Sequence, residues 1–287
     1  LALDGAELRA AEAALGRLAA TADLTVTQPL GQGPLAANAQ GQVVAEGLRL
    51  ADHPVADGRA TLTLSGELPP HGEAQLHELS LHTVLGDLTA HGRIDRTTLA
   101  GSTRLEAQIP DLASVLSAFA VDAPLQGAVS LGADVLLDDQ ARRIDLTLDG
   151  KASGLGGLPP GAQELIGAAP TLAARATVEP GKEVAFQSLA LTGSGVALEG
   201  EPRLALADGG LGGELRLKVP DLAPLRPALG QPIAGAASLR AVLGGTVDLP
   251  KVDLDGTAER LALAGQSIER ASLAGSVAGP LATPSGS

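Results

Sequence analysis

Residues 142–152 read RRIDLTLDGKA, with Ile144, Leu146 and Leu148 alternating with Arg143, Asp145, Thr147 and Asp149. Successive side chains of a β-strand point to opposite faces, so this period of two describes a strand with one aliphatic and one charged face. The pattern spreads outward from there. In RATLTLSGEL, from Arg59, Leu62, Leu64 and Leu68 oppose Thr61, Thr63, Ser65 and Glu67. In GELRLKV, from Gly213, Leu215, Leu217 and Val219 oppose Glu214, Arg216 and Lys218. In KVDLDGTAE, Val252 and Leu254 oppose Lys251, Asp253 and Asp255. Looser versions include Leu79 with Leu81, Val129 to Val135, Val184 with Phe186, and Leu189 with Leu191. Val196 with Leu198, Leu261 with Leu263, and Leu273 with Val277 complete the series. Such runs recur every ~10 residues between Gly, Asp, Asn or Pro, the spacing of consecutive antiparallel strands, and roughly 18 to 20 strands fit the chain. A clean charged face means that only the other face is covered. The expected fold is therefore all-β: an elongated, twisted antiparallel sheet with one to three short helices.

An internal repeat recurs at an offset of about 110 residues. ELSLHTVLGDLTAHGRIDRTTLAGSTRLEAQIPDL, from Glu78, matches SLALTGSGVALEGEPRLALADGGLGGELRLKVPDL, from Ser188, so that Leu79 aligns with Leu189, Leu81 with Leu191 and Leu105 with Leu215. PLQGAVSLGA, from Pro124, then resembles PIAGAASLRA, from Pro232. The repeat units span about 79–135 and 189–241, inside one continuous repetitive region covering 1–287. ALGRLAATADL, from Ala14, is a shorter copy of VLGDLTAHGRI, from Val84, which argues for strands rather than a helix over Leu8, Leu15 and Leu18. A helix is predicted after Ile109: Pro110 suits a first helical turn, and Leu112, Val115, Leu116 and Phe119 follow helical spacing. Its counterpart after Val219 carries Pro224 and Pro227 and should be shorter or broken. A third short helix fits Gly161 to Ala168.

Composition narrows the function classes. Hydrophobic residues are 45% of the chain but aromatics only 1%, with no Trp, Tyr, Met or Cys. Aromatic side chains normally fill the volume of a thick core. A nearly pure aliphatic complement suits a thin layer or a smooth apolar surface. The formal net charge of −13 offers phosphates no basic face. Zero Cys removes disulfides, thiolate metal sites and cysteine nucleophiles together. The first 20 residues carry Asp4, Glu7, Arg9, Glu12 and Arg17, unlike a signal peptide, and no apolar run is long enough to span a bilayer. The segment is expected to be a piece of a longer protein.

No motif points to catalysis. His53, His71, His77, His82 and His91 lack metal-site spacing. Gly31-Gln32-Gly33 and Gly154-Leu155-Gly156-Gly157 are turn glycines outside any βαβ context. Gly181-Lys182 lacks the rest of a phosphate-binding loop, and no nucleophile elbow occurs. The acidic residues alternate with apolar ones and read as solvating charges. No enzyme activity, metal or cofactor is expected.

The apolar face remains to be explained. A sheet must cover its apolar side, and two or three short helices are too few for so many strands. The sheet is expected either to fold on itself as a sandwich or solenoid with a dry Leu/Val core, or to curl into a U-shaped groove filled by something else.

The stretch GTVDLPKVDLDGTAERLALAGQSIERASLAGSVAGPLATPSGS, from Gly245, resembles the repeats of the TamB family and its AsmA-like relatives. The resemblance rests on L-P-x-V-x-L-x-G, a following Leu-x-Leu, then Ile/Leu-x-x-Ala-x-Leu-x-Gly and a Pro-x-Gly turn. It extends to the P-D-L units at Pro110 and Pro220. It implies a repeating β-groove anchored in the inner membrane of a Gram-negative bacterium and crossing the periplasm. It also implies phospholipid movement to the outer membrane, autotransporter assembly, and a BamA-class outer-membrane barrel as partner. Phospholipid acyl chains would lie along Leu62, Leu64, Leu79, Leu81, Ile144, Leu146, Leu148, Val184, Phe186, Leu189 and Leu191. Leu215, Leu217, Val219, Val252, Leu254, Leu261, Leu263, Leu273 and Val277 would continue that lining. The family has no catalytic residues to carry over.

Overall fold

The computed structural model describes residues 2–10, 13–27, 35–46, 49–50, 53–54, 58–69, 71–118, 121, 123–263, 265–279 and 285–286. The chain divides into two compact units, Leu1–Ala141 and Arg142–Ser287. In the first unit, β1 (Ala2–Ala10), β2 (Ala13–Thr27) and β3 (Leu35–Glu46) are followed by the two-residue β4 (Arg49–Leu50) and β5 (His53–Pro54). Then come β6 (Gly58–Leu68), β7 (Glu73–Thr83), β8 (Gly86–Asp95), β9 (Gly101–Ile109), helix α1 (Leu112–Ala118) and β10 (Gln126–Leu137). Strands β1, β2, β3, β6, β7, β8, β9 and β10 pair antiparallel in that order.

The second unit runs β11 (Ile144–Gly156), α2 (Pro160–Ile166), β12 (Thr171–Glu179), β13 (Glu183–Thr192), β14 (Ala197–Gly200), β15 (Arg203–Ala205) and β16 (Leu211–Gly212). It continues with β17 (Glu214–Val219), α3 (Arg226–Leu229), β18 (Ile233–Gly245), β19 (Pro250–Leu263), β20 (Gln266–Ala278) and β21 (Ser285–Gly286). Its strands also pair antiparallel, mostly with their chain neighbours. The architecture is all-β with short helices, as the alternation requires, and Leu8, Leu15 and Leu18 lie in strands.

The helices differ in detail from expectation. Pro110 is outside α1, which begins at Leu112. The Asp111 carboxylate accepts the Ala113 N–H at 3.1 Å and the Ser114 Oγ–H at 2.5 Å, so the preceding aspartate caps the helix. Phe119, like Gly31 and Gly33, lies outside the described residues. The segment after Val219 is a 3₁₀ turn, Ala223–Leu225, followed by the four-residue α3, as its prolines predict. Helix α2 ends at Ile166, short of Ala168.

Strict alternation fails at a place that recurs in both copies of the repeat. On β7, Leu79 faces Leu64 and Leu76 faces Gly66, which leaves His77 as an extra residue. On β13, Leu189 faces Ala174 and Phe186 faces Ala176, which leaves Gln187 extra. These are β-bulges, two residues set against one. They fall 110 residues apart, at equivalent positions of the repeat. Each extra side chain reaches back to the preceding strand. His77 Nε2 stands 3.7 Å from Glu67 Oε1, and Gln187 Nε2 donates to Thr177 Oγ1 at 2.5 Å. Gly127 and Gly235, aligned in the second half of the repeat, share positive φ values of 119° and 122°.

Candidate functional site: the aliphatic face

Directly opposed residues of antiparallel strands share a face, so the registers fix which side chains lie together. In the first unit Leu62, Leu81, Leu88, Ala107 and Leu131 form one row across β6 to β10. Leu64, Leu79, Ala90, Leu105 and Ala133 form the next. In the second unit Leu172, Leu191, Leu198, Leu217, Leu239, Gly256 and Leu273 make a row from β12 to β20. Leu148, Ala174, Leu189, Gly200, Leu215, Ala241, Leu254 and Gly275 make another. Ile144, Val178 and Val184 stand together, as do Leu146, Ala176 and Phe186, Val219 and Ala237, and Val252 and Val277.

The bulge makes this possible. Val184 and Phe186 are even-numbered and Leu189 and Leu191 odd-numbered, so an unbroken strand would set them on opposite faces; the extra Gln187 restores them to one. Leu261 and Leu263 lie beyond a one-sided break, since the register against β20 runs on unshifted with Leu261 opposite Ile268. Arg260 adopts φ 49°, the register against β18 shifts between Ala234 and Ala236, and Leu263 comes opposite Ile233.

These rows are partly open to solvent. Val219 is 6% exposed and Ala174 and Ala176 are buried, whereas Leu62 is 38% and Leu273 66% exposed. The other lining residues named from the sequence are half-buried. Among the described residues no large side chain is completely enclosed.

Hollows open on both faces: one of about 840 Å³ lies among Glu199, Glu214 and Arg216 on the charged side, and two lie on the aliphatic side. In the first unit a hollow of about 380 Å³ is touched by Ala37 on β3, Leu64 on β6, Leu76 on β7, Ile94 on β8, Thr103 on β9 and Leu137 on β10. Six flat strands spaced ~4.8 Å apart would spread over roughly 24 Å. One small hollow reaches all six only because the sheet curls around it. A second hollow, of about 270 Å³, lies among Leu217, Val219, Leu239, Gly256, Ala258 and Leu273. Gly256 belongs to its floor, where a longer side chain would occupy the space.

The opposite face is charged and internally paired. Arg104 donates to Asp134 at 2.6 Å and Glu106 at 2.9 Å, bonds that hold its guanidinium protonated more firmly than usual. Glu214 is flanked by Arg240 at 2.5 Å and Arg216 at 2.6 Å, and the Arg240 hydrogen bond holds its carboxyl below the usual range. Asp145 accepts from Thr177 at 2.7 Å and Arg143 at 3.0 Å, and is likewise held low, chiefly by the Thr177 hydroxyl. These contacts tie the polar side chains to one another along and across the strands, and no charged residue is among those lining the hollow around Leu217, Val219 and Leu273.

The lining named from the sequence omits Leu76, Leu88, Leu172, Val178 and Leu239, and also Leu131, which lay within the alternating run Val129 to Val135. A two-residue periodicity carried through each strand would have found Leu88, Leu131, Leu172, Val178 and Leu239. Leu76 needed the bulge. Among the described residues there is no cluster of His, Asp or Glu able to hold a metal, and no helix long and apolar enough to cross a membrane. No protein-family model, curated protein or solved structure matches the chain.

Proposed function

We propose that this chain is a segment of a TamB-like periplasmic bridge whose aliphatic groove carries phospholipid acyl chains between the inner and outer membranes, without catalysis. The supporting observation is the state of the leucines. They line up in rows across adjacent strands on a concave face, and they stay half-open to solvent instead of packing into a closed interior. A spacer with a dry core would enclose them, because burying a leucine stabilises a fold by about 1.5–3 kcal/mol. Walls of Leu, Val and Ala without aromatic rings hold a hydrocarbon tail through contact area. They lack the oriented polar groups that fix one ligand in one pose. Tails can then shift from row to row, since each strand offers a similar surface. In this reading the parent protein is anchored in the inner membrane of a Gram-negative bacterium. It meets a BamA-class barrel in the outer membrane, and the same groove serves autotransporter assembly.

A photo-crosslinking amino acid at Leu146, on the aliphatic face, is expected to capture phospholipid when the chain is isolated from membranes. The same probe at Thr147, exposed on the charged face, is expected to capture none. Equal labelling at the two positions, or none at Leu146, would refute the groove and favour the dry spacer.

A further inference from the structure

The connection between β17 and β18 is unlike a hairpin turn. The two strands pair as far as Val219 opposite Ala237, yet the chain between them travels through Pro220, Pro224, Pro227 and Pro232. Proline has no N–H and a fixed φ, so this segment can neither join the sheet nor collapse onto it as a strand. It forms a stiff body instead: the Asp221 carboxylate accepts the Ala223 N–H at 2.9 Å, and the 3₁₀ turn leads straight into α3. Gly230, at φ 68°, ends α3 and gives the body a pivot before β18.

The attachments of this body are few. Leu222 is 7% exposed and its N–H donates to the Gly235 carbonyl at 2.8 Å, while Arg226 to Pro232 are all exposed. The remaining hold is on α2. Gly161 is buried there, and a methyl group in its place would stand 2.8 Å from Ala228 Cβ and 3.2 Å from Leu225 Cδ2. Only glycine permits so close an approach. Helix α2 is itself anchored: Gln163 Nε2 donates to the Leu155 carbonyl at 2.9 Å, and the Ser194 and Gly195 N–H groups donate to the Ile166 and Leu165 carbonyls at 3.1 and 2.8 Å. One side of the contact is therefore fixed and the other is held at its ends and one small patch. Val219, where the segment begins, also lines the hollow among Leu217, Leu239 and Leu273.

We propose that residues 220–232, which adjoin this hollow through Val219, are a hinged strap latched to α2 at Gly161, and that release of the latch admits an acyl chain to the groove. The admission step rests on the lipid-groove function; the strap's movement does not.

Two readouts separate them. Hydrogen exchange on the whole chain, without ligand, is expected to show the Leu222 amide exchanging at least tenfold faster than the paired amides of the β17–β18 ladder. Wedging the latch from either side, with Gly161→Leu or Ala228→Leu, is expected to raise Leu222 exchange about tenfold further and leave the ladder unchanged. Exchange at the ladder's own rate, unaltered by both wedges, overturns the strap. In the second readout, transfer of a pyrene-labelled phosphatidylcholine from zwitterionic vesicles should accelerate about tenfold in both variants, with the same final amount bound. Transfer by the wild-type chain at a rate neither wedge alters overturns the gating role. Absence of transfer to the wild-type chain overturns the groove, and the gating with it.

Discussion

Placing a charge on the aliphatic face should have an effect that depends steeply on position. Leu273 and Val219 line the same hollow, but Leu273 is 66% exposed and Val219 6%. Full burial of a Leu or Val side chain is worth about 1.5–3 kcal/mol. Leu273 keeps only about a third of its surface covered, so its removal forfeits roughly 0.5–1 kcal/mol by the same scale. Aspartate at this exposed position stays hydrated and adds a strand-propensity penalty of about 1 kcal/mol or less. Leu273→Asp should therefore cost about 1–2 kcal/mol. Val219→Asp loses nearly the whole transfer energy and also buries a carboxylate in a hollow whose lining holds no cation, a further several kcal/mol. The sum, about 4 kcal/mol or more, approaches the entire stability of a domain. Urea unfolding followed by circular dichroism is the assay. With a slope of about 2 kcal/mol per molar, Leu273→Asp should move the midpoint down by about 0.5–1 M. Val219→Asp should move it by 2 M or leave the second unit unfolded. Equal losses at the two positions would refute an open, graded face and require a uniformly dry one.

Three further outcomes are expected. Asp111→Ala, which removes the cap of α1, should cost about 1 kcal/mol in thermal unfolding, with Asp111→Asn recovering most of it. Asp145 has a folded pKa below its unfolded value, so its contribution is complete above about pH 4 and declines as pH falls through the folded pKa; Asp145→Asn should flatten the acid limb of a stability–pH curve and leave its neutral limb parallel to wild type. Gly213 has φ 100°, and a methyl group there would collide with the Glu201 carbonyl oxygen, so Gly213→Ala should cost about 2 kcal/mol or more by differential scanning calorimetry.

Much of the strand pattern was legible because side-chain direction in a strand depends only on position parity. Leu62 with Leu64 and Leu215 with Leu217 need no tertiary information to be assigned to one face. The broken helix after Val219 was equally readable, since proline acts through its own covalent geometry. What could not be read was any feature set by a neighbouring strand. The bulge at His77 is invisible in Leu-His-Glu-Leu, and so is the register shift against β18 at Arg260. Asp111 rather than Pro110 caps α1 because a carboxylate satisfies free helical N–H groups, whereas proline merely lacks one. The latch at Gly161 was unreadable for another reason: a glycine's partner, Ala228, lies far along the chain, and nothing local marks the contact.

Each bulged strand is in effect two half-strands written in opposite phase and spliced by one residue. Deleting Gln187 would join the halves without a seam, and the backbone could pair normally throughout. Yet the deletion would rotate one half by half a turn, sending either Val184 and Phe186 or Leu189 and Leu191 out among the charges of the other face. The result is a spatial counterpart of a frameshift: every residue downstream keeps its identity but is presented to the wrong audience. His77 holds the same office in the first unit. In this chain the residue with no partner across the ladder governs the orientation of all those that have one.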